Sequence, residues 1–85
     1  MVDWYNFISG EAQLTCETIE DAELLLKICK ENEINCAYIE PEDFKSEPYW
    51  YIRDGWFLEI TRYYCDNEQI CSAWTVQEFI EEHTY

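Results

Sequence analysis

Apolar residues recur along this chain with two different periods, and the switch between them marks out its elements. From 19 to 31 the period is helical. Ile19, Ala22, Leu25, Leu26 and Cys29 fall on one stripe, the spacing of an amphipathic helix with one buried face. Thr18-Ile-Glu-Asp opens this helix as a capping box with Asp in place of the usual Glu or Gln. Glu20 and Asp21 stand in the first turn, where the helix dipole favours anions. Glu23 and Lys27 form an i, i+4 pair, and Asn32 and Asn35 are suitable terminators. Thr75-Val-Gln-Glu is a second capping box. It predicts a short helix to about Glu82, with Val76, Phe79 and Ile80 inside and Glu78, Glu81 and Glu82 outside.

Between the helices the pattern is that of strands. The stretch 49–64, YWYIRDGWFLEITRYY, holds seven aromatic residues and both arginines, Arg53 and Arg62. Tyr49 to Arg53 and Trp56 to Tyr64 read as strands, and Asp54-Gly55 between them as a type I′ hairpin turn. A two-residue loop pairs Arg53 with Trp56 and Tyr51 with Leu58. It puts Tyr49, Tyr51, Trp56, Leu58 and Ile60 on one face, and Trp50, Ile52, Phe57, Glu59 and Thr61 on the other. Neither face is cleanly polar, so both sides are expected to be covered, one of them by the helix. The aromatics then serve core and cross-strand packing, and the arginines stack on rings or pair with acids.

Val2 to Ile8 reads as a short strand ending at Ser9-Gly10, and Cys36 to Ile39 as another. PEDFKSEP, from Pro41, is an acidic loop or short turn of helix. Asp66-Asn67 is a turn, and Gln69 to Trp74 a third strand of the meander. The order is strand, helix, short strand, hairpin, strand, helix. It predicts an α+β fold, a small antiparallel sheet with its hairpin at Asp54-Gly55, packed against one main helix and a short C-terminal helix. Residues 1–85 are expected to form one compact acidic domain.

Size sharpens this picture. A chain of 85 residues buries only about 60–65% of its unfolded surface, so its core needs large side chains. Four Trp, seven Tyr and four Phe supply them. No apolar run approaches the ~18 residues of a membrane span. MVDWYNFISG lacks the basic and apolar regions of a secretory signal, which predicts a cytoplasmic protein. The five cysteines, Cys16, Cys29, Cys36, Cys65 and Cys71, are odd in number and show no C-x-x-C spacing. They read as free thiols. A zinc site at Cys65 and Cys71 would have only His83 as an imidazole ligand.

Charge changes the picture most. Nineteen acids face five bases, a net charge of −14, beyond the magnitude of roughly 2–8 common in small soluble domains. Such a surface repels nucleic acid and anionic lipid and attracts basic surfaces. An aromatic–arginine platform for single-stranded nucleic acid is excluded by the sign of the field. Two glycines cannot build a phosphate loop. His83 lies too near the C-terminus for a Cys–His nucleophile, and solvated carboxylates are not a tuned acid–base pair. The acids at Glu40, Glu42 and Asp43 lack the ligand alternation and central glycine of a calcium loop. No enzyme activity, metal or cofactor is expected.

The placement of the acids says more than their number. The main helix offsets part of its charge with Lys27 and Lys30. Two other segments do not balance: Glu40, Glu42, Asp43 and Glu47 against Lys45 alone, and Asp66, Glu68, Glu78, Glu81 and Glu82 with no base between 65 and 85. Glu81 and Glu82 occupy a last helical turn, where the dipole disfavours anions. Stability alone would place a lysine there. These nine acids are the candidate partner-binding residues. Carboxylates some 5–7 Å apart present a field comparable to the phosphate array that Lys and Arg of DNA-binding proteins are arranged to match.

With its acidic stretches EPEDFKSE and TVQEFIEEH, its small size and its aromatic richness, the chain resembles the small phage-encoded anti-CRISPR proteins and other anti-defence DNA mimics. Several members of that group fill a Cas effector's site for target DNA. The resemblance implies a bacterial host cytoplasm and a basic nucleic-acid-binding partner, a CRISPR-Cas effector or another nuclease. Two rivals share the charge. One is an immunity or antitoxin protein neutralising a basic nuclease toxin. The other is an acidic scaffold that exposes its Tyr/Trp cluster and dimerises.

Overall fold

The structure, a computed structural model, describes residues 1–65 and 68–85. The turn expected at Asp66-Asn67 lies outside the described residues. The fold is α+β: a four-stranded sheet, a main helix and a short C-terminal helix.

The first surprise is at the N-terminus, where Tyr5–Ile8 form a helical turn (α1) and not a strand. Trp4, Phe7 and Ile8 are spaced i, i+3, i+4 and turn toward the core, while Tyr5 stays outside. The Asp3 carboxylate accepts the Tyr5 N–H at 2.9 Å, which satisfies one of the donors a helix start leaves open. The chain then turns at Gly10, whose φ is +86°. A Cβ there would lie 2.6 Å from the Ile52 carbonyl oxygen, so this close approach admits only glycine.

Strand β1, Ala12–Thr15, follows. It was not foreseen, because its four residues show no alternation: Ala12, Gln13 and Leu14 are all fully buried. Helix α2 spans Ile19–Glu31 as expected and buries Ala22, Leu25, Leu26 and Cys29, with Ile28 added to the stripe. Thr18 Oγ1 accepts the Asp21 N–H at 3.2 Å. The Asp21 carboxylate does not return to Thr18, as a full capping box would; it accepts the Glu17 N–H at 3.0 Å.

No strand forms over Cys36 to Ile39. Asn35 alone bridges to the edge of β3, its N–H donating to the Trp56 carbonyl at 2.7 Å and its carbonyl accepting from Leu58 at 3.0 Å. The chain then turns, Ile39 N–H to Cys36 carbonyl, with Tyr38 exposed. Pro41–Lys45 form a single 3₁₀ turn that packs on α2.

Strands β2 (Tyr49–Arg53) and β3 (Phe57–Thr61) make the hairpin. Asp54 and Gly55 both adopt positive φ, 57° and 77°, but the loop holds three residues, since Arg53 pairs with Phe57. Because side chains alternate, that one-residue shift exchanges the faces of a whole strand. Trp50, Ile52, Leu58 and Ile60 share one face; Tyr49, Tyr51, Phe57, Glu59 and Thr61 share the other. The observed partition gathers the apolar residues of both strands on the core side, so the hydrophobic pattern prevails over the shorter turn.

Strand β4, Ser72–Thr75, does not continue the meander. The sheet order is β3-β2-β1-β4, and β4 lies parallel to β1. The segment after β3 therefore crosses from one edge of the sheet to the other. It runs over the face carrying Gln13 and Tyr49: the Cys65 N–H donates to Gln13 Oε1 at 3.2 Å, and the Tyr64 and Tyr49 rings meet edge-on at 5.5 Å. The opposite face supplies Leu14, Trp50, Ile52 and Leu58 to the core. There they join Phe7, Leu25, Leu26 and Phe79 from the helices in one cluster. Full burial of each such side chain contributes about 1.5–3 kcal/mol. Helix α3, Val76–Glu82, follows β4 without a break.

Candidate acidic interaction surface

Parallel pairing of β1 with β4 brings the two ends of the chain together. Other contacts fasten them. Trp4 stacks on Phe79 at 5.5 Å, and Val2 bridges Thr84. Asn6 Nδ2 lies 3.4 Å from His83 Nε2, whose ring in turn stacks on Phe79 at 4.0 Å. Gln77 Nε2 donates to the Asp21 carboxylate at 3.1 Å. Asp21 is only 3% exposed, so this bond locks the N-terminal end of α2 against α3.

The consequence is electrostatic. Residues 1–26 contain six acids and residues 63–85 five, Asp66 among them, with no Lys or Arg in either; together they carry −11. Residues 27–62 hold all five bases and eight acids, a charge of −3. The fold thus joins two base-free ends, and most of the net charge of −14 belongs to those ends. Internal pairing relieves little of it. Among the described residues a single ion pair is found, Arg53 with Glu59 at 3.8 Å, and it lies in the other half.

The sequence-derived acids divide accordingly. Glu81 and Glu82 are exposed on α3, with no hydrogen bond or ion pair among the described residues. Glu78 is different. Its carboxylate accepts the Thr75 N–H at 2.9 Å while Thr75 Oγ1 accepts the Glu78 N–H at 3.1 Å, which completes the capping box. The Thr75 N–H, and secondarily its hydroxyl, hold the Glu78 carboxyl below the usual range. Glu78 therefore has a structural duty as well as a charge. Glu68 is exposed, and Asp66 lies outside the described residues.

Glu40, Glu42, Asp43 and Glu47 belong to the less charged half. The Asp43 carboxylate accepts the Glu40 N–H at 3.0 Å and stabilises the 3₁₀ turn. Glu40 lines a groove of about 670 Å³ together with Glu23, Glu31, Lys27 and Lys30 of α2, so the two lysines offset part of the field there. Glu47 lines a second groove, about 500 Å³, beside β3.

Sequence reasoning missed Glu17 and Glu20. Both are exposed at the end of α2 that Asp21 ties to α3, whereas Lys27 and Lys30 lie about two to three turns further along the helix. A usable signal was present: no basic residue occurs before position 27.

Other chemistry finds little support among the described residues. No group of three or more His, Cys, Asp or Glu is placed to hold a metal ion. No helix is long and apolar enough to cross a membrane. Cys16, Cys29 and Cys36 are buried and Cys65 and Cys71 exposed, all as free thiols. Burial pushes the Cys29 thiol up to about 12. Burial, and secondarily the Asp21 charge, raise Cys16 further. At the rim of the crossover, the adjacent Cys65 is the main cause raising the Tyr64 hydroxyl, and Glu78 contributes in the same direction. No protein-family model, curated protein or solved structure matches the chain.

Proposed function

We propose that the protein is an inhibitor of the anti-CRISPR type, whose acidic half occupies the cationic nucleic-acid groove of a CRISPR-Cas effector or a similar nuclease. One observation carries this reading: −11 of the net charge belongs to the two chain ends that the sheet unites, and −3 to the rest. A cleft lined with Lys and Arg would meet this half much as it meets a phosphate backbone, with long-range attraction that guides encounter and weakens in salt. Glu17, Glu20, Glu81 and Glu82 are the contact candidates, since each is exposed and none is required by a cap or a core contact.

The test uses a panel of CRISPR effector nucleases and duplex target DNA. The protein should displace the DNA from its cognate effector, more weakly as salt rises. The double variant Glu81→Lys with Glu82→Lys leaves the Thr75–Glu78 cap in place and should lose the inhibition. Glu42→Lys, in the other half, should retain it. Equal loss in both, or inhibition insensitive to salt and to competing DNA, would refute the acidic half as the contact. Capture of a nuclease toxin in place of an effector would assign the protein to the immunity class.

A further inference from the structure

The geometry points to the outer edge of β3 as a docking site for an extended cationic segment of the partner, added to the sheet as a fifth strand about Ile60. It rests on the reading of a basic protein partner and names the element by which that partner is held.

Three observations converge on this edge. First, the hairpin register fixes which backbone groups face outward. Asn35 bonds to the Trp56 carbonyl and the Leu58 N–H, so the even-numbered residues of β3 present their peptide groups away from β2. Asn35 occupies only the first part of the edge. The N–H and carbonyl of Ile60 point the same way, and among the described residues neither has a backbone partner. Second, a groove of about 500 Å³ runs beside this open part of the strand, with Ile60 in its wall, room for an extended chain whose own N–H and C=O can complete the ladder. Third, Glu47 and Glu59 line the groove. Glu59 is shared with Arg53, and Arg62, also in the wall, leans over the Tyr63 ring at 5.3 Å. Glu47 forms no ion pair among the described residues.

The occupant follows from charge. Two copies of a chain carrying −14 repel each other along this edge. A strand with Lys or Arg at alternate positions is drawn in by the whole field, and directs those side chains to one side of the sheet, where Glu47 or Glu59 receives them. Backbone bonds hold the segment and the carboxylates select its charge.

The probe is a synthetic peptide, acetyl-Thr-Lys-Val-Lys-Val-Lys-Thr-amide, compared with the same peptide N-methylated at its valines, which keeps the charge and removes ladder donors. Binding is read by fluorescence anisotropy and by amide exchange at Ile60. The protein is expected to prefer the unmodified peptide about tenfold or more, the effect of one to two backbone hydrogen bonds. Ile60→Ala, which keeps the N–H, should retain the preference. Ile60→Pro, like Ile60→Ala, loses side-chain packing on the core, and in addition removes an outward N–H at an edge position where proline is tolerated; it should erase the preference. Equal binding of both peptides would overturn the proposal, as would a preference that survives Ile60→Pro. A concentration-dependent dimer in sedimentation, lost in Ile60→Pro, would assign the edge to a second copy. Glu81→Lys with Glu82→Lys separates the two ideas. It abolishes DNA-competed inhibition if the acidic half is the contact, and leaves the discrimination against N-methylation unchanged.

Discussion

Asp21 is where the fold and the charge distribution depend on each other most directly, and its removal has a calculable effect. The side chain is 3% exposed and accepts two hydrogen bonds, from the Glu17 N–H at 3.0 Å and from Gln77 Nε2 at 3.1 Å. A hydrogen bond to a charged group contributes about 1.5–3 kcal/mol. Asp21→Ala also loses an anion at the helix start, about 0.3–1 kcal/mol. Removing one negative charge from a crowded half offsets part of this, by up to about 2 kcal/mol at 8 Å for an effective dielectric near 20. The net loss should be about 1–7 kcal/mol, centred near 4, a large fraction of the roughly 4–13 kcal/mol available to 85 residues. Asp21→Asn should cost less, since its single oxygen keeps one bond while its amide faces a donor. Urea unfolding of Asp21→Ala, Gln77→Ala and the double variant measures the coupling directly. A coupling of about 1–2 kcal/mol is expected, with unchanged m-values. Additivity within about 0.3–0.5 kcal/mol would show that the bond across α2 and α3 does not hold the two chain ends together.

Two further measurements probe the chemistry of single groups. At pH 8 a thiol reagent should label Cys65 and Cys71 rapidly in the native protein and all five cysteines in urea, because burial excludes the reagent and raises the thiols of Cys16 and Cys29; fast native labelling of a third cysteine would contradict the packing of α2. The Glu78 carboxyl is held low by its cap, so its folded pKa lies below its unfolded value. Its stabilising effect is complete above the ordinary glutamate range near pH 4.3 and is lost as pH falls through the folded pKa. The stability difference between the protein and Glu78→Gln should therefore be constant from about pH 8 to 5 and shrink below about 4, and a difference that grows on acidification would show that the Thr75 contact does not form in solution.

The elements that were legible in the sequence are those with a local signal. Helix α2 has a cap at Thr18 and a stripe of five apolar positions; α3 has a complete box; the hairpin has Asp54-Gly55. What escaped was set by contacts distant in the chain. Nothing in AQLT marks a strand, because β1 lies between two neighbours with both faces covered and Gln13 is buried beneath the crossover. Without β1, the strand Ser72–Thr75 had no partner except the hairpin, and a meander followed. The three-residue loop escaped because one extra residue, Trp56, changes no local preference yet moves a strand's faces by one position. The candidate site was half legible for the same reason. The excess of acids on α3 is a local fact. Its union with Glu17 and Glu20 depends on the parallel pair β1·β4 and on the bond from Gln77 to Asp21.

That union bears on why the charge is there. A fold under selection for stability alone gains about 0.3–1 kcal/mol from a cation in the last turn of α3, and i, i+4 repulsion between Glu78 and Glu82 costs a few tenths more. A lysine at 81 or 82 would supply the first and disturb no contact, since both positions are exposed. Lysines are accommodated elsewhere: Lys30 stands in the last turn of α2 and Lys45 at the end of the 3₁₀ turn, each where the dipole favours it. The same chain therefore applies the rule at the ends of α2 and of the 3₁₀ turn and breaks it at α3, in the base-free half, where the short α1 also ends without a base. The violation lies in the region that the sheet assembles from both chain ends. A lysine at position 82 should consequently raise the thermal midpoint and weaken inhibition together. If it raises stability with inhibition unchanged, the acids of α3 serve solubility, and the contact with the partner must be sought at Glu17 and Glu20.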